Sequence, residues 1–362
     1  MKILNITSTT QHDGKTMVML GLMKAFSEKV KKIGFIKPLG LSERKVADYS
    51  IDRDAALIER VFHMHANIKD LNPVTLDKGS LEYFARPEKS KEMLAEIMAS
   101  FGRISEGCDL MLVKGLTGAA CGTVYGLPNV VIAKKMGAKV LLLSSGGIGH
   151  PLDQIVMNID YLRAKGVDVL GVIFNKVFPD EIDKLRKYGA SFLEKHGTRL
   201  LGVIPHHNLL SLPTIRDIAE RINGKVLAGE HSLGNLVGKT FVGAMTPSYA
   251  WPYFSPNSLL ITGGDRIDMI LAVVTYCLME KDETQKFAGM VLTCGVEPPE
   301  HILELLKQAG IPVILAQQDS YSVISNISQM DVRISPADER KISLVADLVK
   351  RHVEVDNIFE ML

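Results

Sequence analysis

The sequence predicts an α/β protein in which a doubly wound parallel sheet is followed by a smaller α/β domain. Its strand candidates "CDLMLVKGL", "AKVLLLSS" and "VDVLGVIFNKV" are nearly continuous apolar runs. Such runs are typical of parallel strands that are buried on both faces. Helical segments such as "HPLDQIVMNIDYLRAKG" separate them, and this alternation favours a doubly wound sheet. With 362 residues, 46% of them hydrophobic, the chain is long enough for two domains.

The elements follow one another in a regular order. A first strand at "KILNIT" leads through a loop to the helix "KTMVMLGLMKAFSEKV", which ends in lysines as a helix C-terminus should. A second strand follows at "KIGFIKPLG", and the last strand of this series is "RLLGVIPH". After a proline-rich stretch with the single tryptophan, shorter strand–helix units run from "SLLITGG" to "IPVILAQQ", and a helical tail closes the chain. We therefore predict domains at residues 1–228 and 229–355.

Composition excludes several classes of partner. The formal net charge is +1, with 42 basic and 41 acidic residues, which gives no drive toward nucleic acid or a membrane surface. No apolar run reaches the ~18 residues of a membrane span, and the N-terminus lacks a signal-peptide pattern. The four cysteines are far apart and have no metal-ligand spacing, so we expect reduced thiols in a cytoplasmic protein.

The loop "STTQHDGKT" at residues 8–16 ends like a phosphate-binding loop and lies between a predicted strand and helix. Such loops place backbone N–H groups around a phosphate at a helix N-terminus. A lysine then contacts the outer phosphates, and a Ser or Thr ligates magnesium. Thr9 stands where a glycine usually opens the loop, and Asp13 adds an unfavourable negative charge. We predict that nucleotide is bound by Thr10, His12, Asp13, Gly14, Lys15 and Thr16.

The Thr9 variant resembles one branch of the P-loop NTPases, the AAA-ATPase-like group of dethiobiotin synthetase and cobyrinic acid a,c-diamide synthase. Four further segments resemble the same group. In their order along the predicted first domain, they are "GFIKP", "SIDRDAALI", "GVIFNKV" and "LLGVIPHH". The resemblance implies catalytic roles for Lys15 and Lys37. It also implies magnesium ligation by Thr16 and Asp54. An adenine site would lie beside Asn175 and Pro205.

Each of these residues also has an ordinary structural explanation. Lys37 could be a strand-end lysine that extends toward solvent, and Asn175 could be a turn residue. Asp52 could cap the following helix as readily as it could bind a metal. Their joint occurrence at strand C-termini, where open α/β sheets bind ligands, favours a functional site.

One residue departs from the pattern of that group. In "LMLVKGLTGA", dethiobiotin synthetases have an acid before the glycine, and the acid helps to coordinate magnesium. Here Lys114 precedes Gly115, and an ammonium repels a cation but can contact a phosphate directly. We therefore predict that Lys114 belongs to the nucleotide site and that Mg²⁺ binding is weakened. Lys114 could equally point away and pair with an acid such as Asp109.

The second predicted domain resembles the DRTGG domain. Asp265 and Arg266 match its named Asp-Arg pair, and Ile267 stands where that motif has threonine. Arg266 could assist anion binding at the helix N-terminus. Alternatively, Asp265 could cap the helix while Arg266 pairs across a dimer interface.

The order of the two domains resembles the N-terminal half of long bacterial phosphate acetyltransferases. In those enzymes this half is linked to oligomerisation and to metabolite or nucleotide sensing. The acetyltransferase domain does not follow before the chain ends at Leu362. The resemblance therefore implies a regulatory part and not an acetyltransferase.

Three functions fit the sequence. The first is an ATP-binding regulatory or sensor protein. It would be a homo-oligomer, expected as a dimer, and a metabolic enzyme is a further candidate partner. The second is an ATP-dependent carboxylate-activating ligase of the dethiobiotin synthetase type, or a weak ATPase, which the retained Lys15, Lys37 and Asp54 keep open. The third is a structural partner whose P-loop is a relic. The presence of Lys114 where dethiobiotin synthetases have an acid favours the first.

Overall fold

A computed structural model of the chain describes residues 1–41, 44–46, 49–64, 66–76, 86–280, 282 and 285–362. The chain divides into two compact units, Met1–His207 with Ile334–Leu362, and Asn208–Arg333. These units differ from the predicted domains 1–228 and 229–355 in two ways. The first continuous segment ends at His207, and the helical tail after Ile334 returns to the first unit.

The first unit contains ten described strands: β1 (Lys2–Ser8), β2 (Ile33–Ile36), β3 (Leu39–Leu41), β4 (Arg44–Val46), β5 (Tyr49–Ile51), β6 (Val74–Leu76), β7 (Leu110–Thr117), β8 (Lys139–Ser145), β9 (Val169–Val177) and β10 (Leu200–Pro205). Its helices before the second unit are α1 (Lys15–Ser27), α2 (Arg53–Phe62), α3 (Ile68–Leu71), α4 (Pro87–Ser105), α5 (Asn129–Met136), α6 (His150–Ala164), α7 (Ile182–Lys184) and α8 (Ala190–Lys195). A π-helical turn at Leu185–Gly189 joins the last two.

Six of these strands form one parallel sheet in the order β10-β9-β8-β1-β7-β2. The first six residues of β7 are all buried, as are the five central residues of β8, which explains their unbroken apolar sequence. The prediction of a doubly wound parallel sheet is confirmed.

Strand β1 is the point at which the chain changes direction across the sheet. The connections after it lead to β2 and β7 on one side, and then to β8, β9 and β10 on the other. Crevices at such reversal points, outside the carboxyl ends of the strands, are where open α/β sheets bind ligands. The register places Ser8 beside Thr117 and Leu143, so the ends of three strands meet next to the P-loop.

The second unit has a five-stranded sheet in the order β11-β15-β14-β13-β12, parallel except for β11. Its strands are β11 (Lys225–Ala228), β12 (Lys239–Val242), β13 (Ser258–Gly263), β14 (Gly289–Thr293) and β15 (Val313–Leu315). Its helices are α9 (Asn208–Ser211), α10 (Ile215–Ile222), α11 (Pro247–Ala250), α12 (Ile267–Met279), α13 (Glu300–Ala309) and α14 (Ser320–Ser328). Apolar clusters cover both faces of this sheet.

The C-terminal tail forms α15 (Glu339–His352) and α16 (Val355–Met361), which pack in the first unit. A Cβ added at Gly21 of α1 would lie 2.3 Å from Val349 Cγ2 of α15, so the missing side chain allows close approach of the two helices. The Phe26 and Phe359 rings lie 5.8 Å apart, and the Glu354 N–H donates to the Leu201 carbonyl at 2.8 Å. The tail is therefore a structural part of the first unit.

Two kinds of feature are absent from the described residues. None of the helices is both long enough and apolar enough to cross a bilayer. In the same described ranges, no group of three or more His, Cys, Asp and Glu side chains has a metal-binding arrangement.

Candidate functional site

The P-loop joins β1 to α1, and its geometry requires glycine at position 14. Gly14 has φ of 84°, a left-handed conformation that residues with a side chain rarely adopt. A Cβ here would lie 2.2 Å from Asn175 Nδ2. That same amide donates to the Asp13 carbonyl oxygen at 2.8 Å and is fully buried. The end of β9 therefore holds the loop in place at the start of α1.

Asp13 is buried inside the loop, where its carboxylate is bound by the residues that open it. Asp13 Oδ2 accepts the Thr10 N–H at 2.7 Å, and Asp13 Oδ1 accepts the Thr10 hydroxyl at 2.7 Å. The Thr9 hydroxyl is hydrogen-bonded to Asp13 Oδ2 at 3.1 Å and to Ser144 Oγ at 3.0 Å. Threonine in place of the usual opening glycine thus provides a partner for Asp13. The negative charge that the sequence places near the phosphates is used to stabilise the loop.

Lys15 extends back over the end of β1 and contacts hydroxyl groups. Its ammonium donates to Ser8 Oγ at 2.6 Å and to Thr117 Oγ1 at 3.1 Å. No carboxylate among the described residues forms an ion pair with it. Burial lowers the pKa of Lys15 from 10.5 to about 8, although nearby Asp13 opposes the shift. A half-buried cation with only neutral partners is suited to receive an anion.

Lys114, three residues before the end of β7, points into the same site. Its ammonium donates to Thr16 Oγ1 at 2.8 Å and forms an ion pair with Asp54 Oδ2. The Thr16 hydroxyl in turn donates to Asp54 Oδ1 at 2.8 Å. The alternative pairing with Asp109 is wrong, because the Asp109 carboxylate accepts the backbone N–H groups of two lysines near β2.

Lys37 lies between two carboxylates at the start of α2. Its ammonium is 2.6 Å from Asp52 Oδ1 and 2.5 Å from Asp54 Oδ2. Asp52 also accepts the Asp54 N–H at 2.9 Å, so it caps α2 and binds Lys37 at the same time. Lys37 is therefore held by a buried network and does not extend toward solvent.

The pKa values in this network follow from its charges. Burial opposes ionisation of Asp54, but Lys114 and then Lys37 outweigh it and hold the pKa of that carboxyl well below its usual range. Burial lowers the pKa of Lys114 to about 8, with Asp54 opposing the shift. Burial also opposes the charge of Lys37, but Asp54 and Asp52 outweigh it and raise the pKa of that ammonium.

These contacts do not fit a resident Mg²⁺. The resemblance assigned Thr16 and Asp54 as its ligands, and a magnesium site needs their oxygen lone pairs at about 2.1 Å in near-octahedral order. In the structure, Thr16 Oγ1 accepts from Lys114 and both Asp54 oxygens accept from neighbouring donors. An ammonium lies against both predicted ligands, and like-charge repulsion disfavours a divalent cation beside it.

The remaining predicted residues lie around this centre. His12, with φ of 65°, is exposed in the loop. Asn175 Oδ1 is buried and has no hydrogen-bond partner among the described residues, whereas its amide holds the loop. Pro205 ends β10, and the adjacent His206 ring stacks on Phe178 at 5.0 Å. Asn175 and Pro205, which the resemblance predicts to lie beside adenine, are thus at the same carboxyl edge of the sheet as the P-loop.

Four contacting residues were missed in the sequence. Ser8 and Thr117 bind Lys15, and Ser144 binds Thr9. Asn129 accepts the Leu116 N–H and donates to the carbonyls of Leu116 in β7 and of Gly118 directly after it. Polar residues that directly follow an apolar strand are the signal that could have found the first three.

The predicted second-domain residue Arg266 has partners within its own unit. Its guanidinium donates to the Gly243 carbonyl at 2.9 Å and to the Met245 carbonyl at 3.0 Å. It also forms an ion pair with Asp268 at 2.9 Å. These contacts hold the segment after β12 against the start of α12, and they leave the guanidinium less available for an anion.

Comparison with protein-family models gives a match to the AAA domain over residues 2–214, more than half of the chain. The chain belongs to the AAA domain family. This match contains all of the residues described above around the P-loop, and residues 217–330, which include Arg266, match the DRTGG domain. The predicted order of a P-loop domain and a DRTGG domain is confirmed.

Curated relatives of this AAA-domain chain are phosphate acetyltransferases. That of Pseudomonas putida is 28% identical over 98% of this chain and 51% of its own length. That of Nitratidesulfovibrio vulgaris is 25% identical over 97% of this chain and 50% of its own length. The chain thus spans about half the length of the curated relatives it matches, and the predicted resemblance to their N-terminal half is confirmed.

Two solved structures are similar to parts of the chain. The MinC:MinD cell division protein complex of Aquifex aeolicus has 15% identity and a TM-score of 0.38, covering 58% of this chain and 84% of that chain. The CBS and DRTGG domains of Clostridium perfringens pyrophosphatase have 21% identity and a TM-score of 0.27, covering 32% of this chain and 46% of that chain. These scores support no conclusion about activity.

Proposed function

We propose that this chain is a nucleotide-binding regulatory module, related to the N-terminal half of phosphate acetyltransferases, with ATP as its ligand. The observation that supports it most directly is the environment of Lys15. Its ammonium lies at the N-terminus of α1 beside a glycine-dependent loop, and its partners among the described residues are two hydroxyls. A phosphate bound there would supply the negative charge that this cation lacks and would meet the favourable end of the helix dipole.

The regulatory part of the proposal rests on the family relation. The relatives carry this pair of domains within a longer chain, so the module is suited to change conformation or assembly when nucleotide binds. A homodimer and a metabolic enzyme as partner belong to the same proposal. Adenine recognition through Asn175 would require the side chain to keep holding the loop while its buried Oδ1 faces the base.

The two alternative functions have weaker support. In a carboxylate-activating ligase, Lys37 would stabilise the transferring phosphoryl group, but two carboxylates already hold its ammonium. Against a relic loop, Gly14 keeps a left-handed conformation at the start of α1, and the Lys15 ammonium has two hydroxyls as its partners among the described residues. Release of phosphate from ATP, stimulated by a small carboxylate and lost in Lys15→Ala, would favour the ligase.

The proposed function is tested by calorimetric titration of ATP, ADP, GTP and inorganic phosphate into the intact chain. We expect ATP to bind, and Lys15→Ala to weaken binding by at least about tenfold, the effect of losing one charge-assisted hydrogen bond. Lys24→Ala is the matched control, because it removes the same charge from an exposed position of the same helix. The absence of ATP binding at millimolar concentration would reject the proposal.

A further inference from the structure

The position of the Lys114 ammonium has a consequence for the ligand. It contacts both groups that would bind magnesium in a Gly-Lys-Thr loop, the Thr16 hydroxyl and the Asp54 carboxylate. Lys114 comes from β7, the strand beside β1, and is buried. Because Lys114 is buried in the sheet, the strand backbone limits which groups its side chain can contact. The contact with Thr16 and Asp54 therefore follows from the position of Lys114 in β7.

We propose that Lys114 takes the place of the divalent cation, so that the site binds nucleotide phosphates that carry no metal. This inference rests on the proposed function, because it describes how the same site selects its ligand. An ammonium has three N–H donors and one positive charge. Two of the Lys114 donors meet Thr16 and Asp54, and the third remains for a phosphate oxygen within the described part of the site.

The neighbouring charges support such a replacement. Asp54 would repel a phosphate if it were alone, but Lys37 and Lys114 both bind its carboxylate. Lys15 directly precedes Thr16 in the chain, and its ammonium donates hydrogen bonds to two hydroxyl groups. A bound phosphate would therefore meet two ammonium groups near the helix N-terminus. A magnesium–ATP complex would bring a second cation against Lys114, where like charges repel.

The wild-type protein gives the first test. ATP is titrated by calorimetry once in excess EDTA and once in excess Mg²⁺, at constant ionic strength. We expect binding in EDTA and an apparent affinity at least about tenfold weaker in excess Mg²⁺, since most ATP is then metal-bound and meets like-charge repulsion at the site. Binding that occurs only with Mg²⁺ would overturn this inference.

Two variants give the second test. Lys114→Met removes the ammonium and leaves Thr16 and Asp54 available to a metal, so ATP binding in EDTA should fall by about tenfold and Mg²⁺ should now strengthen it. Lys37→Met is the matched control, because Lys37 contacts Asp54 but has no bond to Thr16. It should leave the preference for metal-free ATP in place.

A readout of the metal itself completes the design. Mn²⁺ is followed by electron paramagnetic resonance in the presence of ATP, and protein-bound Mn²⁺ is expected for Lys114→Met and not for the wild type. Protein-bound Mn²⁺ in the wild type would overturn the inference. If Lys114→Met does not fold, the wild-type titrations and the wild-type resonance measurement decide alone.

The two proposals fail in different ways. If the wild type binds ATP only with Mg²⁺ and Lys15→Ala abolishes that binding, the nucleotide module stands and the replacement of the cation is rejected. If the wild type binds no ATP in EDTA or in Mg²⁺, the proposed function is rejected, and this inference is rejected with it.

Discussion

The two sheets of this chain both present the carboxyl ends of parallel strands, yet only one of these edges buries charge. The first unit buries Asp13, Lys37, Asp52 and Lys114 around the P-loop. In the described part of the second unit, the buried polar residues are the uncharged Thr214, Ser258, Thr262 and Thr293. Burying an ionised group is costly unless it is paired. The first edge therefore carries a charge arrangement that stability alone does not require.

The charged residues of the second edge are arranged differently. Arg266 and Asp268 are partly exposed, and Arg266 binds carbonyls of its own unit. An exposed pair of this kind contributes little and is screened by salt. The comparison indicates that a parallel edge becomes a candidate anion site when buried lysines converge on it, and that the shared strand–turn–helix architecture is insufficient.

Removing one acid from each edge is expected to give the largest difference in the free energy of unfolding. Asp54→Ala leaves Lys37 and Lys114 buried without their shared partner and should destabilise the first unit by about 3 kcal/mol. Asp268→Ala removes a partly exposed partner and should cost less than about 1 kcal/mol in the second unit.

Urea unfolding can separate the two units. The single tryptophan, Trp251, lies in the second unit and reports on it by fluorescence, whereas far-UV circular dichroism follows both units. Asp54→Ala should shift part of the dichroism transition to lower urea and leave the fluorescence transition in place. Equal shifts for both variants would contradict the contrast between the edges.

A smaller difference is expected at two left-handed glycines. Gly14→Ala should cost about 2 kcal/mol and abolish ATP binding, because its Cβ meets the buried Asn175 amide as well as an unfavourable φ. Gly295, in the second unit, has φ of 66°. The Cβ of Gly295→Ala would meet the side chain of exposed Gln317, which can move.

The Gly295 variant should therefore cost about 1 kcal/mol and leave ATP binding unchanged. Both variants are measured by urea unfolding and by calorimetry with ATP. Normal ATP affinity in Gly14→Ala would show that the loop tolerates a side chain, and it would remove the conformational basis of the site.

The last expected difference is a pH dependence confined to the first edge. Burial lowers the pKa values of Lys15 and Lys114 to about 8, and a phosphate binds their protonated forms. ATP affinity should be highest below pH 8 and fall by up to about tenfold per pH unit for each lysine above it. Calorimetry in buffers of different ionisation enthalpy should also detect proton uptake on binding.

The effect on stability has the opposite sign. Between pH 8 and 10.5 the unfolded chain holds more protons on these two lysines than the folded chain, so their contribution to folding stability rises with pH in that window. An ATP affinity that stays constant from pH 7 to pH 9.5 would contradict both lysine assignments.

The sequence predicted the first sheet and its loop because the signals are local. Unbroken apolar runs specify parallel strands, and Gly14-Lys15-Thr16 after such a run specifies a turn into a helix. The domain boundary, predicted near 228, and the place of the tail depend on contacts between residues that are far apart in the chain. Residues 334–362 carry an ordinary amphipathic pattern, and it is tertiary packing, such as that of Val349 against Gly21 and of Phe359 against Phe26, that assigns them to the first unit.

Composition and motif order by themselves determined the α/β class, the sequence of a P-loop domain and a DRTGG domain, and the residues gathered at one edge. They left the direction of Lys114 open between a phosphate site and Asp109. Tertiary structure decided it, because the fold brings Thr16 at the start of α1 and Asp54 at the start of α2 within reach of that ammonium, while Asp109 binds backbone N–H groups. A side chain at a strand end has several partners within its length, and only the three-dimensional arrangement of charges selects among them.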